Sequence, residues 1–243
     1  MGIMKENFKT NPHDTTFDPT GLYNFVNGSH LVDSSGNSKT LTQEDAPADE
    51  GDFISGSAGG ISHFSFYRNN HTDFQYTGAM SFCCLINTKS NAIVSSNTQH
   101  YFVACEGDGA GGDAKFVLMI TRIDSALPYR INYAHQNGGT YHSITADTQV
   151  RTNAEWHHLA FTRDSNGTGV NIYLDGVVLK SGTTSAAPGT NNSAYFSLGS
   201  IYNYSHTRNE TVIQTSCAIY DKELTANQVK YLAHKTLGYN RIQ

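Results

Sequence analysis

The chain has 243 residues and a formal net charge of −5, which suits one large all-β domain or two small domains and is ample for a buried core. Charged residues make up only 15%, below the usual quarter, and no basic run of five or more occurs. That excludes the clustered Lys and Arg of a nucleic-acid binder. No stretch approaches the roughly 20 apolar residues of a membrane span.

Residues 1–20 form a polar arm with Pro12 and Pro19, without periodicity, expected to lie over the surface or to contact a partner. Its opening, MGIMKENFKTNPHDTTF, lacks the apolar core of a secretory signal, so the expectation is a protein made and used without export. The six Asn-x-Ser/Thr sequons, at Asn27, Asn70, Asn166, Asn191, Asn203 and Asn209, would then carry no glycan. One domain is expected over 21–243. It starts with a strand at LYNFV (22–26), followed by the turn cluster VDSSGNSKTL (32–41). Residues 44–52, EDAPADEGD, hold five carboxylates and read as a solvated loop.

Strand patterns then recur: ISHFSFY (61–67), AMSFCCLIN (79–87), QHYFVAC (99–105), KFVLMITR (115–122), YRINYA (129–134), EWHHLAFTR (155–163), GVNIYLDG (169–176), VVLK (177–180), AYFSLG (194–199) and VIQTSCAIY (212–220). Ten or more short strands with turn punctuation predict a sandwich or barrel. Cys83, Cys84, Cys105 and Cys217 lack a CxxC spacing and read as reduced, buried small hydrophobes. One helix is expected, over LTANQVKYLAHKTLG (224–238). Thr225 and Gln228 have capping-box spacing, and Val229, Leu232, Ala233 and Leu237 form an apolar stripe. Gly238 is placed to end it.

In EWHHLAFTR, alternation puts Trp156, His158, Ala160 and Thr162 on one face and His157, Leu159, Phe161 and Arg163 on the other. The adjacent histidines therefore cannot share one metal ion and are expected to pack in the sheet. Val170, Ile172 and Leu174 alternate with Asn171, Tyr173 and Asp175, and Asp175-Gly176 is a strong hairpin signal. Trp-His-His-Leu-Ala-x-Thr-Arg-Asp followed by Val-x-Ile-Tyr-Leu-Asp-Gly closely resembles the laminin-G-like domains of the concanavalin A-like lectin/glucanase superfamily. GLYNFVNGSHLVDSSGNSKTL (21–41), GAMSFCCLIN (78–87) and IYDKELTANQVKYL (219–232) extend the resemblance over roughly residues 21–235. It implies an all-β, two-sheet antiparallel jelly-roll sandwich with one short C-terminal helix.

The superfamily includes glucanases, whose retaining chemistry needs two carboxylates about 5–5.5 Å apart. No strand here carries acids at alternate positions, and no Gly-x-Ser-x-Gly elbow is present, so no catalytic residue is assigned. Relatives in the resembled family hold calcium at the sandwich edge. Here Asp108 and Asp113, flanking the glycines of 107–112, are the candidate ligands, with loop carbonyls completing the six to eight oxygens calcium takes. Sugar binding needs aromatic faces and amides on loops. The candidates are Asn137 and Tyr141 in AHQNGGTYH (134–142), and Tyr202, Asn203, Tyr204 and Arg208 in IYNYSHTRNE (201–210).

The expected function is a non-enzymatic recognition or structural module. The setting is a virus or phage particle protein for decoration or adhesion, assembled in the host cytoplasm and anchored to capsid or tail proteins through residues 1–20. It is expected to be homo-oligomeric, with a cell-surface glycan as ligand. Two alternatives stay open: a free, calcium-dependent carbohydrate-binding lectin, extracellular if a signal was removed, and a polysaccharide-cleaving enzyme.

Overall fold

The computed structural model describes residues 13, 15–24, 32–43, 48–49, 54–55, 66–67, 73–88, 99–107, 113–122, 130–147, 156–190, 195–198 and 212–241. In chain order the strands are β1 (Gly21–Asn24), β2 (Thr42–Gln43), β3 (Ala48–Asp49), β4 (Ile54–Ser55), β5 (Phe66–Tyr67), β6 (Met80–Thr88), β7 (Gln99–Gly107) and β8 (Phe116–Arg122). They continue with β9 (Arg130–Asn137), β10 (Thr140–Asp147), β11 (Trp156–Arg163), β12 (Gly169–Leu174), β13 (Val177–Thr183), β14 (Tyr195–Leu198) and β15 (Val212–Tyr220). The helix α1 (Ala226–Arg241) follows. An eight-stranded sheet runs β13-β12-β11-β6-β15-β4-β3, with β1 also on β15. A seven-stranded sheet runs β10-β9-β8-β7-β14-β5-β2. Every pairing between these strands is antiparallel. The result is the expected two-sheet jelly-roll sandwich.

Period-two alternation builds the core. Phe82, Cys84 and Ile86 of β6, Leu159 and Phe161 of β11, and Cys217 and Ile219 of β15 face Phe116, Leu118, Ile131, Tyr133 and Phe196 of the other sheet. The aromatics mesh: Phe116 lies 5.2 Å from Phe161 and Tyr133 lies 4.9 Å from Phe161 between ring centroids, spacings that add about 0.5–1.5 kcal/mol per pair beyond area burial. The intervening residues, Cys83, Ala160, Tyr173, Ala218 and Tyr220, form a second cluster on the outer face under Val229 and Leu232 of α1. Cys83 and Cys84 thus lie on opposite faces, and with Cys217 they are free and buried. The side chain of Cys105 lies outside the described residues.

The opening turn is organised by Asp33, whose carboxylate accepts from the backbone N–H groups of Leu22 (3.0 Å), Ser35 (2.9 Å) and Lys39 (2.9 Å). Gly36 takes φ 89° within it, a conformation open to glycine at no steric cost. At α1 the capping box is formed: Gln228 N–H donates to Thr225 Oγ1 (3.3 Å) and Thr225 N–H to Gln228 Oε1 (2.8 Å).

Three expectations need correction. The helix does not end at Gly238 but continues to Arg241, since an interior glycine costs only about 1 kcal/mol and does not by itself terminate a helix. Residues 44–52 are not all loop, because Ala48–Asp49 pairs with Ile54–Ser55. The segment 134–142 is not a loop: β9 and β10 pair through Thr140↔Asn137 and onward to Asp147↔Arg130. Its whole connection is Gly138-Gly139, with φ 56° and 77°, the two left-handed residues of a tight hairpin turn. Within the arm, His13 is fully buried, its Nδ1 lying 2.6 Å from Ser216 Oγ of β15.

Candidate functional site

The β9–β10 hairpin, the residues leading into β8, and the segment after β13 meet at one rim of the sandwich. Ladder-like bonds tie them together: Gln136 N–H to Ala114 O (2.8 Å) and Gly189 N–H to Gln136 O (2.8 Å). Residues 184–190 form a strap along this rim, and side chains pin it at successive points. His142 Nδ1 lies 2.8 Å from Ser185 Oγ and His135 Nε2 lies 2.8 Å from Ala186 O. Asn137 Nδ2 donates to Ala187 O (2.8 Å), and the fully buried Lys115 donates through Nζ to Gly189 O (2.6 Å).

Beneath the strap lies a buried polar chain. Arg163, fully buried, donates to Gly78 O (2.8 Å), Lys115 O (2.6 Å), Tyr133 Oη (3.0 Å) and Tyr76 O. Arginine only donates, so Tyr133 Oη accepts from it and gives its own proton to His135 Nδ1, 3.1 Å away. A carbonyl only accepts, so His135 carries its proton on Nε2, toward Ala186. The network therefore selects the neutral Nε2–H tautomer. Burial lowers the His135 pKa to about 4; the bond to Ala186 opposes the shift, and Arg163 and His142 add to it. Burial likewise raises the Tyr133 phenol above its ordinary value, against the pull of Arg163.

Asp113 and Asn137 are brought to this rim. Asp113 Oδ1 accepts from Gly139 N–H at 3.4 Å, and its carboxylate packs so closely on Gly189 that a Cβ there would stand 2.1 Å from Oδ2. Glycine is required at 189 for that approach. Asn137 and Tyr141 are not side by side, however. Thr140 pairs with Asn137 while Tyr141 pairs with Gln136, so alternation sends them to opposite faces of the hairpin. Asn137 faces the strap, and Tyr141 stands on the outer face, 61% exposed. Asp108, Tyr202, Asn203, Tyr204 and Arg208 lie outside the described residues.

Sequence reasoning missed the strap, Lys115 and the His135–His142 pair. Pro188-Gly189 signals a turn, but nothing in the sequence says which strand end it lies against. The rim offers exposed Thr140, Ser185 and Asn137 as hydrogen-bonding groups beside Asp113. Segments 113–115, 136–142 and 184–190 contain a single carboxylate and so supply no pair for glycoside hydrolysis. Among the described residues no three His, Cys, Asp or Glu side chains converge on a metal position.

A family model described as the concanavalin A-like lectin/glucanases superfamily matches residues 59–230, and the chain belongs to that family. No curated protein matches it. Among solved structures it is similar to the botulinum neurotoxin serotype D binding domain (14% identity, TM-score 0.63, covering 90% of this chain and 51% of that one). It is also similar to the serotype D ligand binding domain in complex with N-acetylneuraminic acid (14%, TM-score 0.61, 89% and 50%) and to the type G receptor binding domain (15%, TM-score 0.58, 89% and 51%). The chain spans about half the length of these structures, and at such identities the likeness concerns the fold.

Proposed function

We propose that this member of the concanavalin A-like superfamily is a non-enzymatic glycan-recognition module, and that it binds at the rim formed by the β9–β10 hairpin and the 184–190 strap. The observation that carries the reading is a pinned rim: four side chains, His135, His142, Asn137 and Lys115, hold the strap, so its exposed polar groups need little further ordering on binding. Preorganisation of this kind lowers the cost of association. An exposed tyrosine on the same hairpin supplies a face for the apolar side of a sugar ring. The likeness to a neurotoxin ligand binding domain in complex with N-acetylneuraminic acid supports a sugar ligand.

A glycan array on the full chain tests this. Binding is expected, and it should weaken at least tenfold in Asn137→Ala or Tyr141→Ala. Absence of binding, or binding by both variants unchanged from wild type, would remove the rim as the site. Calcium belongs to the same proposal: Asp113 would supply one oxygen ligand and Asp108 and the 107–112 carbonyls others. Binding that survives a chelator would count against a calcium role. The wider setting we propose is a virus or phage particle, with residues 1–20 as the anchor and a homo-oligomeric assembly. Low charge, Asn, Ser, Thr and Gly richness and the polar arm support it. Deleting residues 1–12 should abolish incorporation while the sandwich still folds, and unchanged incorporation would sink it.

A further inference from the structure

The 184–190 strap covers a stacked pair of histidines. Register puts His135 of β9 directly opposite His142 of β10, so both side chains stand on the strap-facing side of the hairpin, with ring centroids 5.4 Å apart. His135 is fully buried beneath the strap, while His142 is half-buried at its edge. Each ring makes one of the strap's bonds, to Ala186 O and to Ser185 Oγ, both at 2.8 Å. Thr184 ties the start of the strap into the same unit. Its N–H donates to Thr168 O (3.0 Å), and its hydroxyl lies 3.2 Å from Thr168 O and 3.0 Å from Ala186 O.

We propose that the His135–His142 pair is an acid-sensitive clasp, which holds the 184–190 strap on the β9–β10 hairpin at neutral pH and lets it lift on acidification, taking the rim apart.

The closed strap suits one protonation state of His135. Arg163 donates to Tyr133 Oη, Tyr133 gives its proton to His135 Nδ1, and His135 Nε2–H donates to Ala186 O. Each donor in this chain meets an acceptor. A proton added at Nδ1 points an N–H at the Tyr133 hydroxyl hydrogen. The hydroxyl must then turn away and give up its acceptor in a site without water, and a charge is left buried.

The charged groups around the pair do not offset this. Arg163 of β11, reached through Tyr133, and His142 of β10 both disfavour a cation at His135. Lys115, just before β8, is a cation and donates to Gly189 O (2.6 Å). Asp113 lies toward the far end of the strap, against Gly189 and the Gly139 N–H. Asp164, just after β11, accepts from Thr168 N–H (3.0 Å). The strap itself, TSAAPGT, is uncharged. Among the described residues no carboxylate bonds either ring. Burial accordingly leads in lowering His135 to about 4, with the Ala186 bond opposing.

Lifting the strap removes the conflict, because the ring then meets water, where imidazole titrates near 6.5. Between about 6.5 and about 4, each unit of acidification shifts the closed-to-open ratio by up to tenfold for the one proton taken up. The clasp is therefore at full strength above about pH 6.5 and weakens as pH falls through that interval. Release is a property of the hairpin and strap alone; only its effect on ligand rests on the rim being the glycan site.

The test is hydrogen exchange on the full chain, corrected for intrinsic rates, from about pH 7.5 to about pH 4.5, spanning free imidazole. Two strap amides have backbone acceptors, Thr184 N–H on Thr168 O and Gly189 N–H on Gln136 O. Their protection is expected to fall at least tenfold relative to the buried Phe161 amide, and to stay level in His135→Gln, whose amide bonds without titrating. Unchanged strap protection, a matching fall at Phe161, or an equal fall in His135→Gln overturns the clasp. Should His135→Gln fail to fold, histidine NMR of the wild type decides. The clasp requires His135 to titrate between about 4 and about 6.5 together with the strap amides, and a strap that stays protected throughout overturns it. No ligand enters these measurements, so their failure leaves the glycan reading standing, and a blank glycan array leaves the clasp standing.

Discussion

At the scale of single residues, the most consequential group is Arg163. Its four acceptors, Gly78 O, Lys115 O, Tyr133 Oη and Tyr76 O, diverge from one buried guanidinium, a fork that no other side chain reproduces. Truncation leaves buried carbonyls without donors and a cavity among aromatics, so Arg163→Ala is expected to lose about 3–5 kcal/mol in urea unfolding. Arg163→Lys should recover less than half of that. The alternation of EWHHLAFTR puts Arg163 on one face with Leu159 and Phe161, but does not reveal its role as a clasp, since the acceptors come from segments 30 to 87 residues away. The thiols make a second expectation. Burial raises Cys83, Cys84 and Cys217 well above the ordinary thiol range, and thiolate is the reactive species. All three should resist an aromatic disulfide reagent until the chain unfolds, and modification of any of them in the native state would contradict the burial described.

At the scale of elements, local chemistry was legible wherever a few neighbouring residues decide the outcome. Thr225 and Gln228 form the capping box, and Thr225→Ala should cost about 1 kcal/mol by thermal unfolding, restored largely by Asp. Asp175-Gly176 turns as its type requires, with φ 52° and 78°. Gly176 adds a tertiary constraint, because a Cβ there would stand 3.0 Å from both Ala233 Cβ and Lys230 Cα. Gly176→Ala should therefore loosen α1 from the sheet and cost about 1–3 kcal/mol, read as a lower unfolding midpoint. The turn at Gly138-Gly139 follows the same chemistry, yet the strand it opens, β10, has no strand signal in the sequence. Its sequence, TYHSITAD, is mostly exposed apart from Ile144 and Ala146, so at a sheet edge its apolar alternation is too sparse to register as a strand.

At the scale of the whole molecule, the buried histidines set the acid limit of stability. His135 near 4 and His158 near 3 lie below the ordinary value of 6.5. Below about pH 6.5 the unfolded chain therefore binds protons that the folded chain refuses. Stability is full above that value, falls as pH drops through the interval down to the folded values, and then gains no further slope from these groups. Urea midpoints from about pH 7.5 to about pH 4 should decline steadily. The decline should be shallower when His158 is replaced by Gln, while the share due to His135 persists. A midpoint level across that range would contradict the neutral burial of the two rings.

The sequence by itself determined the class of fold, the helix and its cap, the turn at Asp175-Gly176, and the separation of His157 from His158. Each depends on spacing within a short segment and on the fixed periods of strand and helix. Tertiary structure alone decided which distant segments meet: that the 184–190 strap lies along the β9–β10 hairpin, that Lys115 and His135 hold it, that Asn137 and Tyr141 face apart, and that His13 reaches across 145 residues to His158. Those contacts follow from strand order and register in a closed sandwich. Two sheets of antiparallel strands can be ordered in many ways that local propensity does not distinguish, and only packing of the whole core selects one.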